Sequence, residues 1–78
     1  MPKRRSRLLI GEELREARLK AGLTQEALAF AAEVDRTYIS YVENDRKSPT
    51  LEMLATLCSA TGVRVSDLIR RAEKSAGA

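Results

Sequence analysis

Apolar residues along this chain recur at three- and four-residue steps in short stretches, and glycine, proline or small polar residues break one stretch from the next. That spacing lines one face of an α-helix. From Gly11 to Lys20, the residues Leu14, Ala17, Arg18 and Ala21 share such a face. Gly22, a natural left-handed terminator, ends the helix. Thr24 is then placed to cap a second helix running to about Ala32. After Glu33-Val34, Asp35 offers a cap to a third helix whose apolar stripe is Ile39 and Val42 and which ends near Asn44-Asp45. Arg36, Thr37, Ser40 and Tyr41 face elsewhere on it. Asn44 through Pro49 is a loop of turn formers, whose proline cannot continue a helix and whose Asn and Asp tolerate left-handed backbone. Thr50 caps a fourth helix with Leu51, Leu54, Leu57 and Cys58 on its buried face, and Gly62 after Thr61 stops it. A fifth helix runs roughly from Val65 to Lys74 and carries Leu68 and Ile69.

No stretch alternates apolar and polar positions as a half-buried strand would, so the pattern predicts an all-α protein of five short helices. With 78 residues there is room for one modest core and no second domain. The expected organisation is a basic arm over 1–9, one helical domain over 10–74, and a fraying tail over 75–78.

Composition narrows the function classes. A chain 44% hydrophobic and 32% charged is of ordinary soluble globular type. No apolar run approaches the roughly 18 residues of a membrane span. The basic opening is followed only by Leu8-Leu9-Ile10 before Gly11-Glu12-Glu13, too little for an export signal. Cys58 is the single cysteine, which rules out an internal disulfide, fits a reducing cytoplasm, and reads as a small core residue. With no histidine and no clustered carboxylates, neither a catalytic triad nor a zinc site of the usual ligands can be assembled, so no enzyme, metal or cofactor is expected. So small a core also leaves little space for a small-molecule ligand. The net charge of +3 and pI near 9.4 favour a polyanionic partner. Four of the first seven residues are basic (Lys3, Arg4, Arg5 and Arg7), and Arg46 with Lys47 forms a second group.

Between Leu23 and Glu43 lie a capped helix, a break of about three residues and a second capped helix with a polar outer face, which is helix-turn-helix grammar. Periodicity alone leaves a plain helical bundle open. The residues themselves add a resemblance: Leu23-Thr24-Gln25-Glu26-Ala27-Leu28-Ala29, then Ile39, Val42-Glu43-Asn44 and Pro49 resemble the Cro/C1-type (XRE) family of helix-turn-helix transcriptional regulators, over about residues 10–70. The resemblance implies a lambda-repressor-like domain that binds double-stranded DNA as a homodimer, its third helix, over 35–44, lying in the major groove. Two such helices would sit about one DNA turn apart, roughly 34 Å, on a near-palindromic operator. The last two helices, with Ile69, are the expected dimer surface.

Residue by residue, the resemblance implies that small Ala29 allows close approach of the second and third helices and that Arg18 pairs with Glu43 as a structural ion pair. It places Gln25 against a phosphate at a helix N-terminus. It aims Arg36, Thr37, Ser40 and Tyr41 at base edges, Arg36 being suited to the O6 and N7 of guanine. Tyr38 would bond a phosphate or be partly buried, and Asn44, Arg46, Lys47 and Ser48 would form a second phosphate clamp. The basic arm would touch phosphates, enter a minor groove, or serve only as a solubilising tail.

Three departures stand out. Glu33 and Asp45 occupy positions where the family often has glycine, and a left-handed Glu33 costs about 1 kcal/mol or more, which a reshaped turn would relieve. Phe30 falls on the outer side of the second helix, covering the N-terminal segment or marking a contact surface. Thr61 replaces a more usual leucine and weakens the core slightly. The run Asp35-Arg36-Thr37-Tyr38-Ile39-Ser40 resembles restriction–modification controller proteins, and phage-type regulators look much the same. The rival to a DNA-binding regulator is a protein-interaction module, such as an antitoxin-like partner protein centred on Phe30.

Overall fold

The computed structural model describes residues 8–76, and the basic side chains Lys3, Arg4, Arg5 and Arg7 lie outside that range. Five helices follow one another: α1 Gly11–Lys20, α2 Gln25–Ala32, α3 Arg36–Glu43, α4 Leu51–Thr61 and α5 Val65–Ser75. No strand occurs among the described residues, and α5 runs one residue beyond Lys74. The all-α expectation therefore holds.

Four of the helices stop in the same way. A residue with left-handed backbone follows the helix, namely Gly22 (φ 76°), Glu33 (φ 58°), Asp45 (φ 58°) and Gly62 (φ 81°). Each donates its N–H to the carbonyl three residues back, and the next residue donates to the carbonyl five residues back: Leu23 to Arg18, Val34 to Ala29, Arg46 to Tyr41 and Val63 to Cys58. This pairing satisfies carbonyls that a helix end would otherwise leave bare. After three of the four stops the next residue is apolar, and Leu23, Val34 and Val63 fold back onto the core. Arg46 breaks the pattern and is exposed. The turn at Glu33 is not reshaped: the glutamate takes the left-handed conformation itself.

Helix starts are capped as their residue types suggest. Thr24 Oγ1 accepts from the Ala27 N–H at 2.9 Å, Asp35 Oδ2 from Thr37 at 3.0 Å, and Thr50 Oγ1 from Met53 at 3.1 Å. Ile10 before α1 supplies no side-chain cap. The Gly11 N–H instead donates to Asp45 Oδ1 at 3.0 Å, across 34 residues of sequence.

The core gathers Leu14 of α1, Leu28, Ala29 and Ala32 of α2, Ile39 and Val42 of α3, Leu54, Leu57 and Cys58 of α4, and Leu68 of α5. Ile69 packs against it only partly buried. Thr61 is buried without an unmet polar group, because its hydroxyl donates to the carbonyls of Leu57 and Cys58. Two expectations fail. Leu51 is 73% exposed, since the first residue of α4 lies at the rim and the core-facing stripe begins at Leu54, with Met53 beside it. Ala21 is exposed because it already belongs to the turn.

At Gly11 the backbone of α1 closely approaches the end of α3. A Cβ there would overlap the Glu43 carbonyl oxygen and lie 2.7 Å from that of Val42, both of them backbone atoms that cannot swing aside. Substitution Gly11→Ala is expected to cost about 1–3 kcal/mol through overpacking, read as a lower denaturant midpoint. At Glu33 the sign reverses. Glu33→Gly relieves left-handed strain and should raise stability by about 1 kcal/mol in the same assay, the gain reduced by the flexibility that glycine adds to the unfolded chain.

Candidate nucleic-acid interface

The third helix is held from behind by a buried polar hub. Arg18 on α1 donates from Nε to Glu43 Oε2 at 2.6 Å and from a terminal nitrogen to Oε1 at 3.1 Å, a two-pronged match of guanidinium to carboxylate. The other terminal nitrogen donates to the Leu23 carbonyl at 2.9 Å, so one side chain joins α1, the turn before α2, and the end of α3. Both partners are buried, at 7% exposure each. Gln25 Nε2 adds a donor to Glu43 Oε1 at 3.1 Å. No buried side-chain polar atom among the described residues lacks a partner, which matters because an unpaired charge at this depth would be costly.

Leu28, Ala29 and Ala32 on α2, and Ile39 and Val42 on α3, are buried, which leaves the polar side of α3 outward. Arg36, Thr37 and Tyr41 are exposed and Ser40 is half-buried. At the start of α3, Arg36 lines an open depression of about 460 Å³ together with Arg18, Thr24, Gln25 and Glu26 at the mouth of α2. There the positive dipole end of α2 and the Arg36 guanidinium favour an anion, while the Glu26 carboxylate on the same rim opposes one. At the far end, Ser40, Tyr41, Asn44 and Arg46 line a second depression of about 430 Å³. Two open polar hollows thus flank one exposed polar helix face.

Most of the residues singled out from sequence come together on this side. Arg46, Lys47 and Ser48 are exposed in the loop after α3, though Lys47 and Ser48 line neither hollow. Tyr38 is half-buried and packs on the core. Asn44 commits its amide to the Ser40 carbonyl at 2.8 Å, and Gln25 commits one amide hydrogen to Glu43. Phe30 is 86% exposed. Sequence reasoning missed Thr24 and Glu26 as neighbours of Arg36, and missed the contacts of Gly11 and Asp45. Both of those contacts bring distant segments together, and only the chemistry of glycine and aspartate hinted at them.

Cys58 is buried, and that burial pushes its thiol above the usual range, so it stays protonated and unreactive. Among the described residues, no three metal-ligating side chains gather and no helix is long and apolar enough to cross a membrane.

Comparison with known proteins converges on this architecture. The helix-turn-helix family model matches residues 14–68. The chain is 39% identical over 64 residues to control protein C.BamHI of Bacillus amyloliquefaciens, covering 81% of this chain and 79% of that one. It superposes on the crystal structure of the clp gene regulator ClgR from C. glutamicum with a TM-score of 0.84, at 36% identity and covering 95% of each chain. On the restriction-modification controller protein C.AhdI from Aeromonas hydrophila the TM-score is 0.73, at 34% identity, covering 78% of this chain and 92% of that one. Other curated relatives are longer, the chain spanning 48% of one and 54% of another.

The hub yields a stability prediction. Arg18→Ala strands the buried Glu43 carboxylate and should cost about 3–5 kcal/mol in chemical denaturation. Replacing both partners with apolar residues, Arg18→Met with Glu43→Leu, should restore most of that loss.

Proposed function

This chain belongs to the XRE-type helix-turn-helix family of transcriptional regulators, and we propose that it binds a near-palindromic operator as a homodimer, with α3 of each protomer in the major groove. One observation carries this reading: the rigidly held outer face of α3, flanked by the N-terminus of α2 and by the Arg46-Lys47 loop. In the groove, Arg36 donates two hydrogen bonds to a guanine, Thr37 meets a thymine methyl or donates a bond, and Ser40 and Tyr41 contact the next bases. Gln25 keeps one amide hydrogen free of Glu43, and that hydrogen and the adjacent backbone N–H groups hold a phosphate. Asn44, Arg46, Lys47 and Ser48 hold phosphates beyond α3, with Tyr38 contributing its hydroxyl. The last two helices form the dimer surface in this reading, with Leu51 of α4 73% exposed, although Ile69 of α5 packs partly on the protomer's own core. The protein acts where the DNA is, in the cytoplasm. The likeness to control proteins supports a role in restriction–modification control, and adjacent methyltransferase and nuclease genes would fit it.

A second reading is favoured by Phe30, which is 86% exposed: a surface for another protein. Phe30→Ala separates the two, since it should leave operator affinity unchanged if DNA is the partner.

The decisive measurement is selection of duplexes from a random pool, followed by salt-dependent titration. Wild type should enrich a two-fold symmetric site, and Arg36→Ala should lose about 1–3 kcal/mol there while nonspecific binding persists. Absence of any enriched site, with binding gone by physiological salt, would overturn the regulator reading. Sedimentation should find two protomers per operator; one protomer per site would remove the dimer.

A further inference from the structure

Asp45 is an acidic residue in the loop that carries Arg46 and Lys47, where its charge opposes a phosphate ligand. Its geometry shows what it does there. Its left-handed backbone closes α3 (φ 58°), and its carboxylate turns inward to accept the Gly11 N–H at 3.0 Å, at the otherwise uncapped start of α1. A negative group suits that position, the positive end of the helix dipole. The same loop lacks the anchor the other three helix stops have. Leu23, Val34 and Val63 pin their turns by folding onto the core, whereas the equivalent residue here, Arg46, points its charge to solvent. The glycine at position 11 lets α1 approach the end of α3 closely enough for the bond to form.

We propose that Asp45 is a positioning residue for DNA binding: its bond to Gly11 replaces the missing apolar anchor and holds Arg46 and Lys47 in register for the phosphate backbone. This rests on the DNA-binding reading above. Two accounts of Asp45 predict opposite signs. As a bare negative charge it weakens DNA binding, and any neutral replacement tightens it. As a positioning residue it strengthens binding through its acceptor oxygen, and only a replacement that keeps that oxygen preserves the effect.

The test uses the full chain with Asp45→Asn, which keeps an acceptor and tolerates left-handed backbone, and Asp45→Gly, which keeps the backbone and removes the acceptor. Each is titrated with a mixed-sequence duplex across salt concentrations, and exchange of the Gly11 amide is followed in the free protein. Asp45→Asn should bind at least as tightly as wild type with the same salt slope and a protected Gly11 amide. Asp45→Gly, at equal helix content, should expose that amide and bind about tenfold more weakly than Asp45→Asn. Its salt slope should be smaller by about one unit for each phosphate that the loosened loop no longer neutralises. Equal binding by the two variants, both tighter than wild type, would overturn the proposal, as would an unprotected Gly11 amide in wild type. Salt-dependent binding absent from wild type itself would instead sink the DNA-binding reading, and the positioning role with it.

Discussion

The hydrogen-bonded pair between Arg18 and Glu43 is the constraint on which the rest of the structure depends. A guanidinium and a carboxylate are expensive to remove from water, and only close, two-pronged contact compensates for it. The arrangement tolerates almost no variation in where α1 meets the end of α3, because a small displacement leaves both charges buried and poorly paired. Apolar packing is less directional, since apolar side chains of similar volume replace one another at modest cost. The core therefore holds the helices together, while the ion pair fixes their relative placement. Arg18 also holds the Leu23 carbonyl, so the approach to α2 is set by the same side chain.

This division explains what was legible in the sequence. Helix stops and caps are local: Thr24, Asp35 and Thr50 bond residues two or three positions ahead, and Gly22 and Gly62 adopt left-handed backbone without the steric cost that other residues meet. Such features can be read from short windows. The Arg18–Glu43 pair spans 25 residues and was accessible only through resemblance to a family, since nothing in the spacing required it. The Asp45–Gly11 bond had no family pattern to reveal it, because Asp45 stands where glycine is usual. Leu51 was misplaced because helical periodicity describes a face without saying where a helix leaves its neighbours.

The candidate interface inherits its character from this scaffold. The residues on the exposed side of α3 contribute little to the core and are free to vary, while Ile39, Val42 and Glu43 on the other side hold the helix in place. Gln25 lies between the two roles. One amide hydrogen belongs to the hub and the rest of the group faces a solvent-filled hollow, so whatever occupies that hollow acts on a side chain whose orientation is already fixed.

The repeated helix stop has a consequence for the order in which the chain folds. Every such turn closes within six residues, so α1 through α4 can each terminate correctly before any distant contact exists. Chains dominated by local contacts fold on the order of microseconds to milliseconds. Arg18–Glu43 and Asp45–Gly11 both join α1 to the end of α3, while the bond from Ser75 to Glu13 ties the end of α5 back to α1. Docking of α1 on the end of α3 is then the event that assembles the surface around α3. Helices of 8 to 11 residues are marginal without tertiary packing, so binding competence and resistance to proteolysis should be acquired together when α1 docks.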